Sequence, residues 1–226
     1  MIEIPASLPA LVGSIVIGYL LGALPLADRI SRRYGVDIFS AGTRLAGASN
    51  VRRSVGRIPG LVVLVGDMGK GALVIVTAVF LGIESIALML PAVAAVLGHW
   101  KSVFSRFRGG DGLATLGGAA LAMFPTIGLI SVSVGMLFQL VGNKIPFSSL
   151  MGIVFGYVTL VALSLAYDRD TLLVLGTGGL ASLVLTHALL GHRRRRYISD
   201  WNDAEEEWEL QPVGKWLSTY LARVLW

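Results

Sequence analysis

Apolar residues fall in long runs separated by polar connections, and most runs approach the ~17–25 residues that a bilayer-spanning helix needs. Seven stand out: Leu8–Ala27, Pro59–Gly82, Ser85–Gly98, Gly112–Phe124, Thr126–Val141, Phe147–Ala166 and Thr171–Leu190. The third and fourth are short, as tilted or bundled helices can be. Only Pro125 separates the fourth from the fifth, so one helix over Leu113–Val141 would leave six spans.

Charge decides between the two counts. With seven spans and the amino terminus outside, Asp28–Ile58, His99–Asp111, Gly142–Pro146 and everything after Gly191 lie inside. Arg169 is then the only one of the 19 basic residues left outside, counting Lys70 with the inner end of the second run. Cytoplasmic loops are the ones enriched in Lys and Arg, and the six-span alternative would export Arg193–Arg196. The pattern predicts an all-α, polytopic membrane protein with seven transmembrane helices. Leu8 onward has no basic lead-in and no small-residue cleavage site, so the first run is read as a retained helix.

Beyond the last run, Asp200, Asp203, Glu205, Glu206, Glu207 and Glu209 read as an acidic linker. Val213, Trp216, Leu217, Tyr220, Leu221, Val224 and Leu225 then recur at helical spacing, predicting a C-terminal amphipathic interfacial helix on the inner leaflet. The expected organisation is a membrane domain over 1–198 and a cytoplasmic tail over 199–226.

Composition agrees: 54% of the residues are hydrophobic, 15% are charged and mean hydropathy is +0.73, too apolar for a soluble domain of this length. The chain has no cysteine, which excludes disulfides, thiol redox chemistry and thiolate metal sites. Small residues within the spans, such as Gly13, Gly18 and Gly22, suit close helix approach in lipid.

The chemistry concentrates in the inside loops. The first holds Gly35–Ile38, Ala41–Arg44 and Gly47–Arg53, a mixture of glycine, arginine and Asn50 suited to gripping an anion through backbone amides and guanidinium forks. A positive-inside anchor would also explain its arginines. Asp67 and Lys70 follow at i and i+3 inside an apolar run, on one helix face. Charges at membrane depth are costly unless paired or facing a polar cavity, so the pair marks a candidate site or a structural ion pair. The second loop, Gly98–Thr115, carries His99, Lys101, Arg106 and Arg108, then Gly109, Gly110 and Gly112 directly before a predicted helix. A glycine turn feeding a helix amino terminus favours anions.

These segments resemble the bacterial acyl-phosphate:glycerol-3-phosphate acyltransferase family, the PlsY type. Its Gly-Val-Asp-Ile lead-in and Ser-Gly-Asn-x-x-Gly-Ala-Thr-Asn-Val segment are similar to Gly35–Ile38, Ala41–Arg44 and Gly47–Arg53, and its Asp-x-x-Lys-Gly element to Asp67, Lys70 and Gly71. Its Gly-His-x-x-Pro-Val-Phe-x-x-Phe-x-Gly-Gly-Lys-Gly-Val-Ala-Thr motif matches Gly98–Thr115 without a gap. The chain departs at Ala41, Arg44, Ser49, Ser102 and Asp111, where that family has Ser, Asn, Thr, Pro and Lys. His192 falls where its third motif has a His, but Arg193–Arg196 carries no Asn.

The resemblance implies seven helices, a cytoplasmic-side site, and transfer of an acyl group from acyl phosphate to glycerol 3-phosphate, giving lysophosphatidic acid and inorganic phosphate. It implies no cofactor, no metal and no nucleic-acid partner; the substrates and membrane lipids are the expected partners, in a bacterial inner membrane. His99, Asn50 and His192 become the catalytic candidates. Arg44, Arg52, Arg53, Lys70, Arg108, Gly109, Gly110, Gly112 and Thr115 become the phosphate-binding candidates, supported by Asp67 and Ser49. The acyltransferase design that uses His with Asp five positions on is absent, because none of His99, His187 and His192 has Asp there. The departures also fit a relative that binds a phosphorylated lipid or uses another acceptor, and seven spans with an intramembrane ion pair would fit a small transporter.

Overall fold

The computed structural model describes residues 7–141, 148–167 and 169–210, with the side chains of 148–149 and 191–210 left aside. Among the described residues the secondary structure is helical, with no strand. The elements are α1 (Leu8–Gly22), α2 (Leu26–Arg33), α3 (Ala48–Ser54), α4 (Arg57–Phe80), α5 (Met89–Trp100), α6 (Leu113–Met123), α7 (Pro125–Val141), α8 (Ser148–Ala166) and α9 (Thr171–Leu210). Two 3-10 turns, Ser85–Leu88 and Val103–Ser105, flank α5.

Each apolar run is helical, but the first is not one helix. Pro25 cannot donate to a helical ladder and its ring crowds the preceding turn, so α1 stops at Gly22 and α2 starts at Leu26. The expected continuous helix Leu8–Ala27 is thus corrected to a broken one, whose Ala23 and Leu24 carbonyls, outside the ladders of α1 and α2, become acceptors for the site. Pro125 has the opposite effect. At the first position of α7 its missing N–H costs nothing, and it separates α6 from α7 as two helices.

Among the described residues, three stretches are long and apolar enough to cross a membrane: Leu8–Arg33, Arg57–Phe80 and Thr171–Leu190. Four shorter apolar helical stretches accompany them: Ser85–Trp100, Leu113–Met123, Pro125–Val141 and Leu150–Ala166. Their outward faces are apolar, as hydrocarbon requires: Leu73, Val76 and Phe80 on α4 are 56%, 44% and 86% exposed.

The larger core gathers residues of α4, α5, α6, α8 and the start of α9, including Ile75, Val96, Leu116, Leu160 and Val184. A smaller core holds the first loop to α4, through Ala27, Ile38, Ala46, Val51 and Val63. Helices α4 and α6 touch backbone to backbone: a Cβ on Gly71 would lie 2.1 Å from the Thr115 carbonyl oxygen, and one on Gly118 would lie 1.8 Å from that of Met68. Small residues permit this approach, which sets Lys70 beside the amino-terminal turn of α6.

By its internal contacts the chain divides into two compact units, Met1–Ala188 and Leu189–Trp226, with the boundary inside α9. The acidic stretch expected as a linker is helical to Leu210. Ala204, Glu205, Glu206, Glu207 and Glu209 are good helix formers and no proline intervenes before Pro212, which favours the continuation. The expected amphipathic helix over 213–226 lies outside the described residues.

Candidate active site

The break between α1 and α2 shapes one wall of a narrow cleft. Gly22 to Ala27 line it together with Asp67, Lys70, His99, Ser102, Ser105, Arg108, Gly109 and Ala46. The interrupted helix leaves carbonyls that must find donors, and the site supplies them: Lys70 Nζ donates to Leu24 O at 3.3 Å and Ser102 Oγ donates to Ala23 O at 2.5 Å.

Asp67 and Lys70 occupy successive turns of α4 and are almost fully buried. Their Nζ–Oδ1 separation is 2.9 Å, and the same Oδ1 lies 3.8 Å from His99 Nδ1. Asp67 therefore stands between the ammonium and the imidazole and fixes which ring edge faces α4. Burial of a lone charge would be costly, so the carboxylate is what allows a lysine here.

The other edge of His99 faces the glycine turn. A Cβ on Gly110 would lie 2.5 Å from His99 Nε2 and 2.5 Å from Ala46 O, and one on Gly109 would lie 1.9 Å from His99 O. Gly110 N donates to His99 O at 3.2 Å, while Gly109 O accepts from Ala46 N at 3.0 Å. These contacts clamp the first and second loops together around His99. Gly112, with φ of 83°, occupies the left-handed region that suits glycine and caps α6 without a side-chain bond.

The structure brings Asp67, Lys70, His99, Arg108, Gly109 and Gly110 together. Thr115 is fully buried behind them, where α6 meets α4. Asn50 has a different station. Its amide group donates to Ile38 O, Ala41 O and Leu45 O at 2.9–3.2 Å, and its Oδ1 accepts from Thr43 N and Ser54 Oγ. With both ends of its amide engaged, Asn50 ties the first loop into shape. Arg44, Ser49, Arg52 and Arg53 are exposed on that loop. The His192 side chain lies outside the described residues.

Sequence reasoning missed Asp28, Ser102 and Ser105. Asp28 is buried, accepting from Arg32 Nε at 2.8 Å and from Ser105 Oγ at 3.4 Å, and so fastens the second loop to α2. The available signal was Pro25 with Asp28, Arg29, Arg32 and Arg33 close behind it, a density of charge that is costly in a spanning helix.

A family model for glycerol-3-phosphate acyltransferase matches residues 12–198. The chain belongs to the glycerol-3-phosphate acyltransferase family. A family member from Thermus thermophilus is 38% identical over 154 residues, covering 68% of this chain and 77% of its own. Another, from a Roseiflexus species, is 32% identical over 187 residues, covering 82% and 92%. Among solved structures, PlsY, an integral membrane glycerol 3-phosphate acyltransferase, aligns in its glycerol 3-phosphate form with a TM-score of 0.67, 27% identity and coverage of 83% of this chain and 90% of that one. Its lysophosphatidic acid form aligns with a TM-score of 0.68. Within this glycerol-3-phosphate acyltransferase fold, the segments that carry the resemblance, Gly47–Arg53, Asp67–Gly71 and Gly98–Thr115, are the ones that build or brace the cleft.

Proposed function

We propose that the protein transfers an acyl group from acyl phosphate to the 1-hydroxyl of glycerol 3-phosphate, releasing lysophosphatidic acid and inorganic phosphate as a step of phospholipid synthesis. One observation carries this reading: in a member of this family, a buried lysine, a histidine, an arginine and a glycine turn converge on one cleft. Both substrates are anionic, and preorganised cations and amides in a low-dielectric site stabilise phosphate and a developing oxyanion strongly.

The hydroxyl oxygen forms a bond to the acyl carbon as the bond from that carbon to the phosphate oxygen breaks. The hydroxyl proton leaves to His99 or directly to a phosphate oxygen, so the reaction asks for no strong protein base. Lys70, Arg108, Gly109 and Gly110 hold phosphate, while Asp67 orients His99. Ala41 and Leu45 serve the first loop through their carbonyls, so the departure at Ala41 leaves that anchor intact.

In this reading the chain crosses the bacterial inner membrane seven times, with the amino terminus outside and the cleft and carboxyl terminus at the cytoplasmic face, where a C-terminal amphipathic helix rests on the inner leaflet. The four short helices span by tilt and mutual packing, and the distribution of Lys and Arg supports the orientation. Purified protein given palmitoyl phosphate and glycerol 3-phosphate should yield lysophosphatidic acid and one phosphate per turnover; absence of product would reject the assignment.

A further inference from the structure

Two cations line the cleft, and they are held differently. Lys70 is committed to Asp67 and to the Leu24 carbonyl. Arg108 extends from an exposed turn, where its Nε donates to Ser105 O at a long 3.5 Å, and its guanidinium carbon sits 4.2 Å from the centre of the Phe39 ring. A guanidinium on a flexible stem loses much conformational freedom when it binds phosphate, unless something has already oriented it.

The surroundings fix both partners of that contact. Phe39 follows Ile38, which is fully buried in the smaller core, and its N–H donates to Asp37 Oδ1 at 3.1 Å. On the other side, Arg106 and Phe107 both take left-handed φ, 55° and 60°. Phe107 N donates to Ser102 O at 2.7 Å and Arg108 N to Ser105 O at 3.1 Å, closing the turn that delivers Arg108 to the cleft. Two successive non-glycine residues in that region persist only where surrounding contacts over-determine them.

We infer that Phe39 is a positioning residue, an aromatic platform that aims the Arg108 guanidinium at a substrate phosphate. The inference rests on the reading of the cleft as a phosphate site. The ligand chemistry, a phosphate dianion, is common to glycerol 3-phosphate and acyl phosphate. Separate KM values for the two identify which one Arg108 meets.

The test uses purified full-length protein with palmitoyl phosphate and glycerol 3-phosphate. Phe39→Leu should raise KM for one of the two by about three- to fivefold, the size of a partly exposed cation–π contact, with kcat little changed. Phe39→Trp and Phe39→Tyr, which keep a ring, should retain the parental KM. Arg108→Gln should raise the same KM by about tenfold or more, as loss of a charge-assisted hydrogen bond does. Adding Phe39→Leu to Arg108→Gln should change nothing further.

An equal rise from Phe39→Leu with and without Arg108 would overturn the platform, because a merely structural ring would act independently of the arginine. Unchanged KM values in Arg108→Gln would overturn the phosphate role of Arg108 and the platform with it. If the parent forms no product, the proposed reaction is what fails; equilibrium binding of glycerol 3-phosphate and of palmitoyl phosphate then reads the same variants, and equal affinity of parent and Phe39→Leu for both ligands overturns the platform. Should Phe39→Leu not fold, the indole in Phe39→Trp is the reporter: glycerol 3-phosphate or phosphate should alter its emission, and no change in the presence of Arg108 would count against the contact.

Discussion

The imidazole of His187 lies flat on the indole of Trp100, with ring centroids 4.0 Å apart and planes 11° from parallel. Trp100 Nε1 donates to the Asp111 carbonyl at 2.8 Å, and a Cβ on Gly112 would come within 2.8 Å of that nitrogen. The stack therefore backs the glycine turn with a side chain from α9, three residues beyond Val184 of the larger core. His187→Leu should cost about 0.5–1.5 kcal/mol of stability and loosen the turn, raising KM for a phosphorylated substrate. His187→Phe keeps a flat ring and should restore both; a Phe variant no better than Leu in thermal unfolding and KM would remove the stacking explanation.

Asn50, itself fully buried, joins three carbonyls and one amide of the first loop. Asn50→Ala strands these groups, and the expected cost is about 3 kcal/mol, at the upper end for loss of a buried hydrogen-bond partner. Activity should fall along with the unfolding temperature. A variant that keeps its thermal midpoint but loses turnover would instead place Asn50 in the chemistry.

The contact between α4 and α6 leaves no room for a methyl group at Gly118, whose Cβ would meet Met68 O at 1.8 Å. Gly118→Ala must push the helices apart, costing about 1–3 kcal/mol as overpacked cores do. Because Lys70 lies on the same stretch of α4, activity should drop further than at Gly13, where a Cβ meets nothing within 4 Å and Gly13→Ala should be tolerated. Thermal unfolding and initial rates of the two variants, measured side by side, check this contrast.

Asp170 begins α9. Its Oδ1 accepts from Leu173 N at 3.1 Å and its Oδ2 accepts from the Ser85 hydroxyl, and these hydrogen bonds, the Ser85 one foremost, lower its pKa from the ordinary 3.8. The folded value lies below the unfolded one, so the stabilisation is fully present above the ordinary value and is lost as pH falls through the lowered one. Asp170 is exposed, which keeps the effect small. Asp170→Asn should flatten the decline in thermal midpoint on the acid side of pH 4, and an unchanged slope would contradict the assignment. Asp170→Ala should cost about 1 kcal/mol at neutral pH through loss of the cap.

Hydropathy reports directly which segments can live in lipid, and the apolar runs were legible for that reason. The division at Pro125 was legible through charge, because one helix over Leu113–Val141 would have exported Arg193–Arg196. The break at Pro25 was not, since it lies inside an apolar run and its consequence is tertiary: the carbonyls of Ala23 and Leu24 matter only because Ser102 and Lys70 reach them. Asp67 and Lys70 announced themselves as charges in an apolar stretch. Asn50 shows the limit. Its amide could equally have faced the cleft, and only the folded loop reveals that its donors and acceptor are turned onto Ile38, Ala41, Thr43 and Leu45. Asp28 and Ser105 are 77 positions apart in the chain, a separation that no local pattern bridges.

The central claim is that the glycine turn pressed against His99, with Lys70 beside it, is where glycerol 3-phosphate sits. Equilibrium binding of glycerol 3-phosphate to purified parent and Gly110→Ala protein tests this most directly, because the added methyl would occupy the space at 2.5 Å from His99 Nε2. Saturable binding by the parent, abolished in Gly110→Ala while the thermal midpoint shows a folded protein, is the expected result. Equal affinity in the two proteins would contradict the placement of the substrate in this cleft.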